Sequence, residues 1–410
     1  MARFELTRSK AQEYSKASKK RKGQILDGLC EDSGWSRDNA RRQLKAALKR
    51  PPEKYRSKQL RKTRYSARSK RILVNLWVLS GCCCGKYLAS QISAGLIERL
   101  ISFKELKDGA CNQGCLVIPG DLAIEEIAQM SPATIDRSLK DARRALQPLS
   151  QSSTKRSNSP LRNEIAFGRS WAGVSSPGYL STDTVAHCGD SLKGEHLWTL
   201  NSTDVYSGWT ETITIKNRAR RWIIAGHEEI LGAFPFKVIA INYDGGSEFI
   251  NYQMLDYAKM HHYQMTRSRP YHSNDNAHIE QRNYSVVRKH AFRFRYEGKP
   301  AQDILNALWY WVGLRKNYLV PCRKCIGHTK TRSGRTRGIY DKPLTPYQRC
   351  LASGVLSDKS KERLAATFAR LNDARITREI NRLQHELLLH TSDSTVLELV
   401  QRAIDDAKVA

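Results

Sequence analysis

The chain has 410 residues, of which 69 are Lys or Arg and 40 are Asp or Glu, so its formal net charge is +29. This length allows two or three domains and disfavours a single compact domain. The excess of cations favours a polyanionic partner, with nucleic acid as the leading candidate and a basic protein without such a partner as the alternative. The sequence has no apolar run of about 18 residues, and its first ten residues lack the apolar core of a secretory signal. We therefore expect a cytoplasmic, nucleoid-associated protein with no membrane partner.

Residues 1–60 are predicted to form a helix-turn-helix DNA-binding region. A helix over residues 23–30 precedes a turn that contains Asp32, Ser33 and Gly34, and a second helix begins after the capping residue Ser36. This second helix extends to residue 45, and its basic residues are expected to meet DNA phosphates or base edges: Arg37, Arg41 and Arg42. The alternative is an ordinary helical hairpin with a solvated basic face.

Residues 61–148 are predicted to be helical and to contain a second helix-turn-helix unit. Residues 71–101 are apolar enough to form the core of this region. A helix over residues 122–129 precedes a turn at Met130, and a second helix over residues 133–146 follows a Ser-Pro start. The basic face predicted to read DNA, with a plain helical hairpin again as the alternative, comprises Arg137, Lys140, Arg143 and Arg144.

Residues 149–170 are predicted to be a linker between the helical regions and the rest of the chain. The stretch from residue 150 to residue 160 is rich in serine and basic, so it offers few groups to bury. We therefore expect this linker to separate DNA reading from chemistry.

Residues 171–295 are predicted to contain three consecutive strands and then alternating helices and strands. Such an order predicts a mixed sheet covered by helices. The predicted strands cover residues 179–185, 196–200, 208–215, 237–241 and 263–266, and the predicted helices cover residues 218–231, 247–260 and 276–292.

Three acidic residues lie where these elements could bring them together. Asp183 lies in the first strand, Asp244 follows the buried run at residues 236–243, and Glu280 lies in the helix that Asn276 can cap. A single Asp or Glu is usually a solvated surface charge, but the joint pattern reverses that expectation. The main competitor, Asp204, falls between two predicted strands, where we expect it to shape a turn.

Carboxylates packed together raise each other's pKa and repel, and a divalent cation resolves that conflict. Mg²⁺ prefers hard oxygen ligands and retains positions for water and phosphate. Two such ions about 3.5–4 Å apart can assist both the attacking and the leaving oxygen of an in-line displacement at phosphorus. We therefore expect Asp183, Asp244 and Glu280 to be both catalytic and metal ligands for Mg²⁺ or Mn²⁺, with two ions, in phosphodiester transfer.

The flanking residues and the intervals, with 60 residues between Asp183 and Asp244 and 35 between Asp244 and Glu280, resemble those of a known family. It is the family of Asp-Asp-Glu (DDE) transposases and retroviral-type integrases, to which insertion-sequence transposases belong. The resemblance implies an α/β ribonuclease-H-like catalytic core with a mixed five-stranded sheet, preceded by an all-α helix-turn-helix region.

The resemblance also implies a reaction and partners. Helix-turn-helix modules would bind double-stranded DNA at transposon ends, and water would cut there to free a 3′-hydroxyl that attacks a target phosphodiester. A homo-oligomer would hold two ends together. The alternatives are a DNA-binding regulator that has lost the chemistry, and a structure-selective nuclease of the same fold that cuts without joining.

Cations after Glu280 are expected to hold the DNA backbone near the metals: Arg282, Arg288 and Lys289. Relatives commonly carry a cation seven residues after the glutamate, where this chain has Val287, so the role of Arg288 stays open. Glu248 and Asp275 are interpreted as groups that support the acids or face the substrate. His272 could contact phosphate or be a plain loop residue.

Residues 296–410 are predicted to form a basic and helical C-terminal region. Three aromatic residues in an apolar helix are predicted to be core: Trp309, Tyr310 and Trp311. The basic run at residues 324–337 is interpreted as a flexible DNA-contacting loop, with a merely solvated loop as the alternative. The segment from residue 360 to residue 410 is helical by pattern and could serve self-association.

The ten cysteines are expected to be reduced thiols, since the chain is large and shows no export signal. The run at residues 82–84 is expected to take part in helix packing. Cys322 and Cys325, with His328, hint at zinc, but the sequence offers no convincing fourth ligand.

Overall fold

The computed structural model describes residues 2–49, 64–109, 115–145, 174–244, 246, 248–268, 277–331 and 336–391. The chain divides into two compact units, Met1–Arg64 and Tyr65–Ala410. The predicted linker falls within residues 146–173, outside the described residues, and the predicted domain boundaries stay predictions. Within the described ranges, no helix is both long enough and apolar enough to cross a membrane.

The described residues of the first unit form three helices: α1 (Ala2–Lys16), α2 (Lys19–Ser33) and α3 (Arg37–Leu48). They enclose a small core that includes Leu26, Leu29 and Leu44. The Ser36 hydroxyl accepts a hydrogen bond from the backbone N–H of Asn39 and so caps α3, as predicted. The expected turn is shorter than predicted, because α2 continues through Ser33 and ends only where the next glycine adopts a left-handed φ of 69°.

The second unit begins with a helical part whose core is the predicted apolar segment, which contributes the buried Leu73, Trp77 and Leu100. Its helices are α4 (Ala67–Leu79), α5 (Gly85–Ser93), α6 (Leu96–Ser102), α7 (Leu122–Ala128), α8 (Pro132–Ser138) and α9 (Lys140–Ala145). Two short strands, β1 (Lys107–Asp108) and β2 (Cys115–Leu116), pair between α6 and α7.

One prediction for this helical part was wrong. The single helix expected after Ser131 is two helices, α8 and α9, separated at Leu139, which is buried in the core. The cysteines at residues 82–84 lie in the turn between α4 and α5, where Cys82 has a positive φ of 57°, and Cys82 and Cys83 take part in helix packing, as predicted, since they pack against the core of the helical part.

A five-stranded mixed sheet follows, in the order β5-β4-β3-β6-β7. Its strands are β3 (Tyr179–Ala186), β4 (Trp198–Asp204), β5 (Thr210–Ile215), β6 (Ala240–Tyr243) and β7 (Gln264–Arg267). The first three strands pair antiparallel, whereas β6 pairs parallel with β3 and β7 pairs parallel with β6. The predicted mixed sheet is therefore confirmed, with β3 at its centre.

Helices α10 (Arg220–Ala233) and α11 (Tyr252–Met260) connect the later strands. The start predicted for α11 at residue 247 was too early. Asn251 has an extended backbone, and its side chain accepts a hydrogen bond from the backbone N–H of Met254, so it is the N-cap that fixes the start of the helix.

The last elements comprise α12 (Ala277–Arg282), a π-helical stretch (Asn283–Arg288), α13 (Lys289–Ala291), α14 (Gly298–Leu314), a second π-helical stretch (Arg315–Leu319), the strands β8 (Cys325–Lys330) and β9 (Thr336–Tyr340), α15 (Pro346–Ala352), α16 (Asp358–Ala369) and α17 (Asp373–Leu388). The basic run predicted to be a loop is instead the antiparallel hairpin of β8 and β9. Of the three aromatic residues predicted to be core, Trp309 is buried, Trp311 is partly buried, and Tyr310 is 62% exposed, since adjacent helical positions face different sides.

The helical part and the C-terminal helices belong to one unit and are joined by polar contacts. Arg99 forms an ion pair with Asp373 at 2.8 Å, where both side chains are largely buried. The Thr377 hydroxyl donates to the backbone carbonyl of Leu79 at 2.9 Å. These contacts hold α4 and α6 against α17.

Candidate active site

Asp183 lies on β3, where the strand register sets it opposite Asn201 of β4. One carboxylate oxygen, Oδ1, accepts a hydrogen bond of 2.7 Å from the backbone N–H of Thr184. The other, Oδ2, accepts one of 2.7 Å from the side-chain amide of Asn283, which belongs to the π-helical stretch after α12. The strand and the helix therefore both fix this carboxylate.

Asp244 directly follows β6, the parallel neighbour of β3. Thr182 of β3 is aligned with Tyr243 of β6. Asp183 follows Thr182 and Asp244 follows Tyr243, so the two acids are neighbours across these parallel strands. The Asp244 carboxylate accepts a hydrogen bond of 2.9 Å from the backbone N–H of Gly246. The sheet thus brings the first two predicted acids together where β6 ends beside the middle of β3.

Proximity and burial make ionisation of this site costly. The pKa of Asp183 is raised to about 7, first by burial and then by the negative charges of Asp244 and Glu248, against the lowering effect of the hydrogen bonds from Thr184 and Asn283. A carboxylate with so high a pKa, beside a second carboxylate, favours a cation between them.

Glu280 lies on α12, which packs against β3 and β4, and its side chain is exposed. It precedes Asn283 by three residues, so the two lie about one helical turn apart. Within the described part of the chain, no three His, Cys, Asp or Glu side chains are grouped closely enough to form a ready-made metal site. The geometry therefore pairs Asp183 with Asp244 and holds Glu280 on the helix that touches Asp183.

Glu248 is buried beside this pair. Its Oε1 accepts hydrogen bonds from the Thr184 hydroxyl at 3.3 Å and from Arg218 at 3.1 Å. The Arg218 guanidinium in turn lies 4.2 Å from the centre of the Trp198 ring. Glu248 therefore ties the loop after Asp244 to β3 and β4.

Two of these residues, Asn283 and Arg218, were missed as site residues in the sequence analysis. Asn283 has a recognisable signal, since it follows Glu280 by three residues on a predicted helix and thus shares its face. Arg218 has no such signal, because its contact with Glu248 joins positions 30 residues apart.

Asp204, the competitor for a catalytic place, shapes a turn as predicted. Its side chain is buried at the end of β4. Asp204 is aligned with Leu180, which precedes Asp183 by three residues on β3. It accepts hydrogen bonds from the backbone N–H of Gly178 at 2.9 Å and from the N–H and hydroxyl of Ser207. Its lone pairs are therefore used to hold the turn.

The three cations after Glu280 have different surroundings. Arg282 is half-buried, and its guanidinium lies so close to Gly208 that a Cβ there would come within 2.6 Å of it. Arg288 is half-buried, and burial followed by the charge of Arg293 lowers its pKa. Lys289 is exposed. Their contact with DNA remains a prediction.

In the first unit, two of the three arginines predicted to bind DNA form surface ion pairs. Arg37 pairs with Asp27 at 2.7 Å, and Arg41 pairs with Asp38 at 3.3 Å. Arg42 is exposed on the same helix. Exposed pairs of this kind are weak, so these guanidinium groups can exchange an acid for a phosphate at little cost.

In the second helix-turn-helix candidate, Arg137 and Lys140 are exposed, as the predicted basic face requires. Arg143 is half-buried and forms an ion pair with Asp136 at 2.6 Å, and its contact with DNA stays a prediction. The break between α8 and α9 turns Arg143 toward the core. The side chain of Arg144 lies outside the described residues, as do Asp275 and His272.

Cys322 and Cys325, near the hairpin of β8 and β9, do not share a partner among the described residues. Cys325 Sγ lies 3.8 Å from the His328 ring, whereas Cys322 Sγ lies 3.9 Å from the backbone carbonyl of Ser207. The two thiols therefore have different partners, and zinc binding stays a prediction.

Residues 174–273 match the model of the family described as "Integrase core domain". "Uncharacterized protein y4rM" of Sinorhizobium fredii (strain NBRC 101917 / NGR234) is 30% identical over 355 residues, which are 85% of this chain and 94% of that protein.

Two solved structures are similar in part. The HTLV-2 integrase catalytic core domain in complex with magnesium is 14% identical and covers 40% of this chain and 95% of its own, with a TM-score of 0.28. The catalytic core domain of BIV integrase is 14% identical and covers 43% and 95%, with a TM-score of 0.29. On the integrase-core match and the similarity to y4rM along most of both chains, this protein belongs to the integrase and transposase family, and its five-stranded sheet is a ribonuclease-H-like integrase core.

Proposed function

We propose that this protein is a DNA transposase that cuts at transposon ends and transfers the freed strand into target DNA, with Asp183, Asp244 and Glu280 as its catalytic acids. The observation that carries the proposal is the pair of carboxylates formed by Asp183 within β3 and Asp244 at the end of β6, in an integrase core. Such a pair, desolvated and mutually repelling, has no evident structural use, because it costs stability.

The donor set fits hard divalent cations, Mg²⁺ or Mn²⁺. Asp183 and Asp244 supply adjacent carboxylate oxygens, and Glu280 would supply a third from α12. Two ions bound there would act as Lewis acids that stabilise the attacking and leaving oxygens of an in-line displacement at phosphorus. Because Glu280 is exposed, we expect the complete site to form when the metal and DNA are both present.

The other residues of the site orient these acids. Asn283 and Thr184 each donate to Asp183 and so favour its ionised form and fix both oxygens. Glu248 and Arg218 hold the loop that follows Asp244. Their role is positioning, since their contacts are with other side chains of the site.

The charge of the chain supports double-stranded DNA as the partner, at both the transposon ends and the target. A net charge of +29 attracts a polyanion and makes its binding dependent on salt. We assign backbone contacts near the acids to Arg282, Arg288 and Lys289. The helix-turn-helix candidates would read the ends, and a homo-oligomer would hold two ends together.

A joining assay tests the proposal. Purified protein is incubated with labelled element ends, supercoiled target DNA and Mg²⁺, and the products are separated by size. We expect label to appear in the target. Release of short fragments without joining would indicate a nuclease, and binding without either product would indicate a regulator. Each of these two results would contradict transposition.

A further inference from the structure

A cavity of about 570 Å³ lies in the second unit, between the helical part and the helices that follow Glu280. Its walls come from α4 and the turn after it, from the π-helical stretch after α12, and from α17. No acidic side chain lines it among the described residues. Five cationic side chains do: Arg143, Arg288, Lys289, Arg293 and Arg315.

These cationic side chains differ in their acidic partners and in their burial. Arg143 has an acidic partner in Asp136. Arg315 is buried, donates to the Thr377 hydroxyl at 2.5 Å, and has a pKa lowered to about 10, chiefly by burial. Burial and then Arg293 lower the pKa of Arg288. The charges of Asp373 and Asp183 raise the pKa of Arg315 and Arg288 respectively, but neither acid lines the cavity. A cavity wall that carries several partly desolvated guanidinium groups and no described acid favours an anionic ligand.

Aromatic side chains line the same cavity. Tyr284 is 61% exposed. It follows Glu280 by four residues on the same continuous helix. Phe292 and Phe294 have ring centres 6.0 Å apart. Only the Tyr284 ring is exposed, whereas Phe292 and Phe294 are half-buried. Guanidinium groups beside an exposed aromatic ring are the chemistry by which proteins bind single nucleic-acid strands, with phosphates on the cations and a base stacked on the ring.

The backbone around the cavity is unusual as well. Phe292 has φ 60° and ψ −152°, a region that is costly for any residue with a side chain. Tyr284 and Arg288 come from one π-helical stretch, and Arg315 begins another. Such conformations are rare and concentrate at functional sites, so they support a binding role independently of charge.

We propose that this cavity binds one nucleotide of a DNA strand, with its phosphodiester group against Arg288 and Arg293 and its base against Tyr284. The inference rests on the proposed function, because it assigns a path to the strand on which the acids would act. Since Tyr284 and Glu280 lie on one helix, a strand held in the cavity leads toward the acids.

The test compares Arg293→Gln with Lys299→Gln, a matched loss of one charge at an exposed residue that is ion-paired with Asp303. Affinity for a duplex with a single-stranded tail is measured by fluorescence anisotropy over a range of salt concentrations. We expect Arg293→Gln to weaken binding about tenfold and to reduce the slope of log K against log salt by about 0.7, the value for one phosphate contact with a single strand. Lys299→Gln should change neither the affinity nor the slope. Arg293→Lys should restore most of the slope, because it restores the charge, whereas a misfolded variant would not recover.

A second arm identifies the ligand. With 2-aminopurine in the tail, wild-type protein should quench its fluorescence by stacking, and Tyr284→Ala should abolish the quenching. Inorganic phosphate competing as well as an oligonucleotide would overturn the strand assignment in favour of a small-anion site. Equal affinities and equal salt slopes for Arg293→Gln and Lys299→Gln would overturn the inference and leave the proposed function untouched. Wild-type protein that binds the tail as described but neither cuts nor joins DNA would overturn only the proposed function.

Discussion

The side-chain amide of Asn283 donates a hydrogen bond of 2.7 Å to the carboxylate of Asp183. Asn283 also accepts one of 2.9 Å from the amide of Asn201, which lies opposite Asp183 on β4. A single buried amide therefore joins the helix that carries Glu280 to two strands of the sheet. Through this contact, the position of α12 and the ionisation of Asp183 depend on each other.

Removal of any of the three acids should abolish catalysis while DNA binding persists. Asp183→Asn, Asp244→Asn and Glu280→Gln each remove a charged oxygen ligand, and a loss of several kcal/mol of transition-state stabilisation corresponds to roughly a thousandfold or more in rate. The joining assay measures the rate, and anisotropy measures the binding of labelled ends. Activity near the wild-type level in one of these variants would remove that residue from the site.

Asn283→Leu should raise the Mg²⁺ concentration needed for half-maximal joining. The substitution is similar in size but removes a hydrogen bond to a charged group, worth about 1.5–3 kcal/mol, so we expect a shift of about tenfold or more. The metal dependence of the rate is the measurement. Asn283→Gln, which keeps the amide, is the control, and an unchanged Mg²⁺ requirement in Asn283→Leu would show that the amide does not support Asp183.

Glu248→Gln should lower the rate only several-fold. Gln keeps an oxygen for the Thr184 hydroxyl but weakens the contact with Arg218, which stacks on Trp198. Joining rates at saturating Mg²⁺ provide the comparison with Asp183→Asn. If both variants were equally inactive, Glu248 would be a metal ligand and not a positioning residue.

Lys316→Met should stabilise the protein at pH 6.5 and much less at pH 9.5. Burial and then the charges of Arg282, Lys289 and Arg315 lower the pKa of Lys316 to about 7 from its ordinary 10.5. Below pH 7 the folded protein bears the full cost of the charged amine, and between pH 7 and pH 10.5 that cost disappears because only the unfolded state binds the proton.

Thermal unfolding midpoints of both proteins at the two pH values measure this difference. Lys299→Met, at an exposed ion-paired residue, is the control and should show no such pH-dependent gap. A gap between Lys316→Met and wild type that stays constant with pH would contradict the lowered pKa of Lys316.

Local sequence was sufficient for the elements whose signals lie within a few residues. Ser36 and Ser131 cap helices where expected, because capping involves side chain and backbone atoms only three positions apart. The central strand around Asp183 was predicted from its apolar and β-branched residues and from the preceding Pro177 and Gly178. The break at Leu139 was not predictable, since it follows from the burial of that side chain against other helices.

The sequence by itself determined the acid spacing, the charge of the chain and the order of strands and helices, since periodicity and turn chemistry are local properties. Only the tertiary structure decided that β3 and β6 lie side by side, that Asn283 reaches Asp183, and that arginines far apart in the chain share one cavity. These three relationships depend on strand register and on packing between distant segments. A local sequence pattern does not determine them, because the same pattern is compatible with many pairings of segments that are far apart in the chain.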